Sequence, residues 1–167
     1  MRKMTEQNLR AAFAGESQAH MKYLIFSDKA EKEGKPNVAR LFKAISFAEQ
    51  VHATNHFKTL HVLGDTSSNL QSAIDGETFE VEEMYPAYDA VAKLQGEKGA
   101  IQSIYGALET EKVHAKMYKN AKDAVSSGKD LTLGNVHICE VCGYTVEGEA
   151  PDTCPVCKAK KDRFKKF

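Results

Sequence analysis

Two tetrapeptides, EQVH at 49–52 and EKVH at 111–114, set a carboxylate and an imidazole three residues apart, each inside a run of otherwise apolar helical positions. Residues i and i+3 share a helix face, so each pair aims two metal-ligand side chains the same way. The apolar spacing makes that way inward. Leu41 and Ile45 lead by fours to Glu49, then to His52 and Leu60, while Ile101, Ile104 and Leu108 lead to Glu111, Ala115 and Tyr118. A fold that buries these stripes therefore buries carboxylates, and an uncompensated buried ion costs several kcal/mol.

The rest of the helical pattern supplies the frame. Thr5 to Glu33 is a first amphipathic helix, stopped by EGKP, and Asn37 to Leu63 is a second, stopped by Gly64. Residues 64–76, GDTSSNLQSAIDG, are polar and turn-rich and read as a crossover holding one short helical turn. A third helix follows over 77–95, with Pro86 expected to kink it or shift its first turns. A fourth covers 100–125, and SSGKD reads as a linker. Four long helices with one long connection, between the second and third, have the connectivity of a ferritin-like bundle. The expected fold is mainly α, with a ferritin-like four-helix bundle over 1–130 and a small metal-binding domain over 131–167.

The other two helices bring carboxylates to the same layer. Glu16 shares a stripe with Leu9, Phe13 and Tyr23, and Glu80 and Glu83 share one with Ala87, Val91 and Leu94. At about 1.5 Å per residue, Glu16, Glu49 and His52 lie at similar heights from the turn near residue 35. Glu80, Glu83, Glu111 and His114 do the same from the turn near residue 97. Five carboxylates and two imidazoles in one apolar layer require a positive partner. Two divalent or trivalent metal ions, bridged by Glu49 and Glu111 and capped by His52 and His114, satisfy charge and coordination together. The surplus carboxylate suggests a centre that exchanges ligands when its oxidation state changes. His20, His56, His61 and His137 have no such support and are assigned to the surface or to places behind the ligands.

All four cysteines fall between 139 and 157, as CxxC at Cys139 and Cys142 and again at Cys154 and Cys157. Paired knuckles of this kind make a tetrahedral thiolate cage, and the glycine after the first lets backbone N–H groups approach the sulfurs. The spacing alone leaves zinc and iron both open. With 23 basic and 23 acidic residues, nothing in the charge favours nucleic acid or an anionic membrane as partner. No window approaches the ~20 apolar residues of a membrane span, and the first residues lack the apolar core of a secretory signal. The expectation is a cytoplasmic protein.

These motifs carry a resemblance. CxxCGY followed by CPVC resembles rubredoxin, and GES at 15–17, EQVH, EVEEMYP at 80–86 and EKVH together resemble the rubrerythrin family over essentially the whole chain. The resemblance implies two non-haem iron ions in the bundle and one iron in the cysteine site, with zinc the alternative there. It implies Glu16 as a terminal ligand, Glu49 and Glu111 as bridges, Glu80 and His114 on the second iron, and Glu83 and His52 alternating on the first. Tyr23 and Tyr88 are implied as hydrogen-bond partners of the ligands. The implied activity is a peroxidase reducing hydrogen peroxide to water, with electrons entering through the cysteine-held iron from a redox protein or reductase fed by a nicotinamide cofactor. No Gly-rich dinucleotide fingerprint is present, so that cofactor is expected to bind the partner. The family also implies a homodimer in which one subunit's cysteine domain faces the other's bundle, and the 64–76 segment is where helices could be exchanged. A ferrous-iron oxidase of ferritin-like type and a structural zinc-ribbon bundle are the rival readings.

Overall fold

Small residues decide how the first two helices meet. In the computed structural model, which describes residues 1–167, α1 (Lys3–Lys32) and α2 (Pro36–Thr59) form a hairpin. Pro36 opens α2, where its missing N–H costs nothing. The seam buries Ala30 and Ser27 of α1 and Ala39, Ser46 and Ala53 of α2. The last three recur every seven residues and so form one narrow stripe. Two hydroxyls stitch it: Ser27 Oγ donates to Ala39 O, and Ser46 Oγ donates to His20 O, both at 2.9 Å. His20 Nδ1 returns a 2.9 Å bond to Ser46 O, so this histidine ties the two helices together.

Because α2 meets α1 through its alanine and serine stripe, the stripe expected to be core remains open. Val38, Leu41 and Ile45 are exposed, Leu41 to 61%. Within the hairpin alone the Leu41–Ile45–Glu49–His52 line, expected to face the interior of a bundle, is left open at Leu41, Ile45 and His52, while Glu49 is largely shielded. The hairpin belongs to the first of two compact units, Met1–Gly64, and the second is Asp65–Phe167.

The link between them is shorter than the sequence suggests. Helix α2 ends at Thr59, and His61 takes the left-handed conformation (φ 56°) that marks the stop, four residues earlier than expected. Residues 64–76 are not a crossover. Asp65 caps a new helix by accepting the Ser68 N–H at 2.8 Å, and α3 runs Thr66–Phe79. Its Ser, Thr and Gly content is poor for a helix, but Ile74 is buried and α3 packs along the final helix, which overrides propensity. The connection is thus only Leu60–Asp65.

The rod continues through one wide π-helical turn, Glu80–Met84, into α4 (Tyr85–Gln95). Tyr85 N–H bonds Glu80 O, five residues back, immediately before Pro86, which has no N–H to give. The shift expected at Pro86 takes this form. Gly96 (φ 71°) ends α4, and α5 (Lys98–Ser126) returns along both α3 and α4. No helix is long and apolar enough to cross a membrane.

The last segment is a three-stranded antiparallel sheet in the order β2–β1–β3, from β1 (Val136–Cys139), β2 (Thr145–Glu147) and β3 (Phe164–Lys166). It fits the short β pieces and cysteine knuckles expected there. The whole is mainly helical with a small four-cysteine domain. Four helical rods are present as expected, with α3, the wide turn and α4 forming the third, although the long second connection from which a ferritin-like bundle was inferred is absent.

Candidate metal centres

Helices α1 and α2 bring Glu16, Glu49 and His52 together, with one ligand atom from each within 4.8 Å of the others. His52 Nδ1 lies 2.9 Å from Glu49 Oε2 and 3.9 Å from Glu16 Oε1. Glu49 is largely shielded, whereas the His52 side chain is 54% exposed and opens on the same face as Leu41 and Ile45.

The second unit repeats the arrangement. Glu77 of α3 and Glu111 and His114 of α5 form an equivalent cluster, with His114 Nδ1 2.7 Å from Glu111 Oε2 and 4.0 Å from Glu77 Oε1. Burial, then a hydrogen bond to Glu111 and the charges of Glu111 and Glu80, push the Glu77 carboxyl up to about 8. Glu80 is raised as well, by burial and then by Glu111, partly offset by His114. Carboxylates crowded in this way hold protons or a cation.

Thr145 Oγ1 donates to Gly143 O at 3.0 Å and lies 2.8 Å from His114 Nε2. On the other side of the ring, Nδ1 lies at hydrogen-bond distance, 2.7 Å, from Glu111 Oε2. With a metal on Nδ1 the ring proton would sit on Nε2 and go to the Thr145 oxygen, the usual outer support of a metal-ligating histidine. The donor sets, two carboxylates and one imidazole in each unit, suit a hard or borderline metal such as iron.

Glu77 is the residue that the sequence reading misses. Thirty-three residues separate Glu16 from Glu49 and thirty-four separate Glu77 from Glu111, a symmetry that points to Glu77 without any coordinates. The expectation instead treats 64–76 as a crossover and starts its helix at 77, and it assigns Glu77 no role. Glu80, expected as a ligand of the second iron, lies beside this trio and outside it, close enough for its charge to act on Glu77. Glu83 is exposed and joins no ligand group, because the wide turn at 80–84 rotates it away. The tyrosines change too. Tyr85, not Tyr88, feels the carboxylates: burial, then Glu80, Glu111 and Glu77, raise its phenol above the ordinary value. Tyr88 packs edge-on against Tyr85 and is 54% exposed. Tyr23 packs against Phe26 and Phe42.

The four cysteine sulfurs converge in the small domain. Cys139 Sγ lies 3.6 Å from Cys157 Sγ, and Cys142 Sγ lies 3.7 Å from Cys154 Sγ. A tetrahedron with metal–sulfur bonds of about 2.3 Å has edges of about 3.8 Å, so the thiols stand where four ligands of one ion would stand. They are too far apart for disulfides. The knuckles are alike: Cys139 N–H bonds Tyr144 O at 2.9 Å and Cys154 N–H bonds Ala159 O at 2.7 Å. Gly143 (φ 83°) and Lys158 (φ 65°) occupy matching left-handed positions, so the second knuckle makes its turn without a glycine. Burial raises the Cys142 and Cys157 thiols, whereas at Cys154 the N–H groups of Cys157 and Val156 outweigh burial and lower it.

This domain is seated on α5 of its own chain. Gly106 makes room, since a Cβ there would meet Cys142 Cβ at 3.3 Å. One turn on, the buried Thr110 hydroxyl lies within hydrogen-bond distance of both Gly106 O, at 2.8 Å, and Cys142 O, at 3.2 Å.

Comparison with known proteins gives the same division. A family model described as rubrerythrin matches residues 7–122, and one described as the rubrerythrin rubredoxin-like domain matches 137–165. Rubrerythrin-2 of Clostridium acetobutylicum is 45% identical, over 98% of this chain and 97% of its own length. Nigerythrin of Nitratidesulfovibrio vulgaris is 33% identical, over 96% of this chain and 85% of its own. Among solved structures, fully reduced, all-ferrous nigerythrin matches with a TM-score of 0.57 at 32% identity, covering 98% of this chain and 86% of the other.

Proposed function

The chain belongs to the rubrerythrin family, and from that premise we propose that it is a peroxidase: it reduces hydrogen peroxide to water at a two-iron carboxylate centre and regains electrons through its four-cysteine site from an external redox protein or reductase. The observation that carries the reading is the repeated trio of two glutamates and one histidine, Glu16, Glu49 and His52 on one hairpin and Glu77, Glu111 and His114 on the other. Bound iron would supply one electron per ion and stabilise the charge that develops as the O–O bond breaks.

The chain's own groups supply orientation and protons. Splitting peroxide into two waters takes two electrons and two protons. The Tyr85 hydroxyl, raised above its ordinary value by burial and then by Glu80, Glu111 and Glu77, holds a proton beside the cluster. Each trio is a half-set of ligands, and exposed apolar side chains accompany them, Leu41 and Ile45 on the helix of His52 and Tyr118 one turn beyond His114. Uncovered apolar faces beside metal ligands favour assembly, so the reading includes a homodimer in which helices exchanged between copies join the two half-sets.

The test separates entry of electrons from their use. Cys139→Ser should abolish turnover driven by a reductase while leaving a single oxidation of the chemically reduced bundle by peroxide. Faster oxidation by dioxygen than by peroxide in the same stopped-flow experiment would replace the peroxidase reading with that of a ferrous-iron oxidase.

A further inference from the structure

We propose that Thr145 is a positioning residue for His114, and that through it the cysteine domain sets the ligand geometry of the half-site on its own chain. Thr145 opens β2, three residues after Cys142, and is 4% exposed. Its hydroxyl makes two contacts in series: it donates to Gly143 O at 3.0 Å and lies 2.8 Å from His114 Nε2. Gly143 directly follows Cys142, so a path of one covalent step and two hydrogen bonds leads from a thiolate knuckle to the imidazole. The path stays within one chain, between β2 and α5.

The direction of each bond follows from chemistry. A backbone carbonyl only accepts, so the threonine proton goes to Gly143 and the oxygen lone pair goes to the imidazole. With Nδ1 given to a metal, the ring proton sits on Nε2 and the threonine oxygen receives it, which fixes the ring plane. In the other trio His52 Nδ1 bonds Glu49 Oε2 at 2.9 Å, Glu16 Oε1 stands 3.9 Å away, and the side chain is 54% exposed. The two half-sites therefore differ in rigidity, the one on α5 being held and the one on α2 free to turn. Thr110 reinforces the asymmetry by joining Cys142 O to α5.

The variants are Thr145→Val, which keeps the shape and removes the hydroxyl, Thr145→Ala, which removes both, and Thr145→Ser, which restores the hydroxyl. The first readout is independent of activity. In the full chain loaded with zinc as a diamagnetic metal, nitrogen and proton NMR of the labelled imidazoles should show His114 as the Nε2–H tautomer with a slowly exchanging proton. Val and Ala should speed that exchange at least tenfold, and Ser should recover it. The second readout rests on the peroxidase reading. After a peroxide pulse to the reduced iron protein, return of the ferric-tetrathiolate colour should slow on the order of tenfold in Val and Ala. Direct oxidation of the bundle by peroxide tests that reading separately. Unchanged imidazole exchange in both Val and Ala overturns the proposal, as does slowed exchange that Ser fails to recover.

Discussion

Glu77 and Glu111 bring carboxylate oxygens within 4.8 Å of each other, and burial together with that crowding keeps a proton on Glu77 well above the ordinary range in the metal-free chain. Glu77 is raised from 4.5 to about 8, so between those values the folded chain binds a proton that the unfolded chain has released. Stability of the metal-stripped protein should therefore fall as pH rises through that window. In chelated Glu77→Gln the contribution vanishes, and thermal midpoints measured from pH 4.5 to 8 should decline less steeply than in wild type. Equal slopes would show that the pair is not crowded in solution.

The same cluster distinguishes Glu77 from Glu83. Glu77→Ala removes a ligand and should strip metal from the bundle or weaken its binding by about tenfold or more. Glu83→Ala alters an exposed side chain outside both trios and should leave metal content and peroxide kinetics unchanged. Elemental analysis of both purified variants decides it. Metal loss in the Glu83 variant would restore that residue to the centre and remove Glu77 from it.

Much of this arrangement was legible because ligand chemistry repeats. The two Glu-x-x-His pairs, Glu16 and the paired cysteine knuckles each carry their signal in spacing, and the structure groups them as spaced. What failed depended on one element. Thr66–Phe79 is rich in Ser, Thr and Gly, so propensity reads it as a loop, and only burial of Ile74 against α5 makes it helical. Reading it as a loop lengthened the second connection and left Glu77 out of the candidate ligands, whereas the structure groups Glu77 with Glu111 and His114 and leaves Glu83 exposed. Spacing rules presume a constant helical period, and a π-turn breaks that period without leaving a composition signature.

The hairpin seam supplies a stability test remote from the metals. Ser46 is fully buried, and its hydroxyl bonds His20 O while sitting 2.9 Å from His20 Nδ1. Ser46→Ala leaves the carbonyl of His20 without this donor and should cost about 1 kcal/mol. Ser46→Leu would force apart helices that touch through small residues and should cost more, about 1–3 kcal/mol. Urea midpoints at unchanged slope measure both. A neutral Ser46→Leu would mean that the seam is loosely packed.

Exchange of helices between copies makes a prediction that no single variant can. Glu49→Ala disables the trio on α1 and α2, and Glu111→Ala disables the trio on α3 and α5. Each homodimer should be inactive at the bundle. In a mixed dimer whose helices are exchanged, one centre combines both damaged halves while the other combines both intact halves, so half of the centres are restored. If each chain builds its own centre, every centre in the mixture carries one lesion and no activity returns. Co-refolding the two variants at equal amounts should form mixed dimers as half of all dimers, and with one intact centre in two this gives about a quarter of wild-type activity per chain. Recovery near zero, with light scattering confirming mixed dimers, would assign both trios of a centre to one chain.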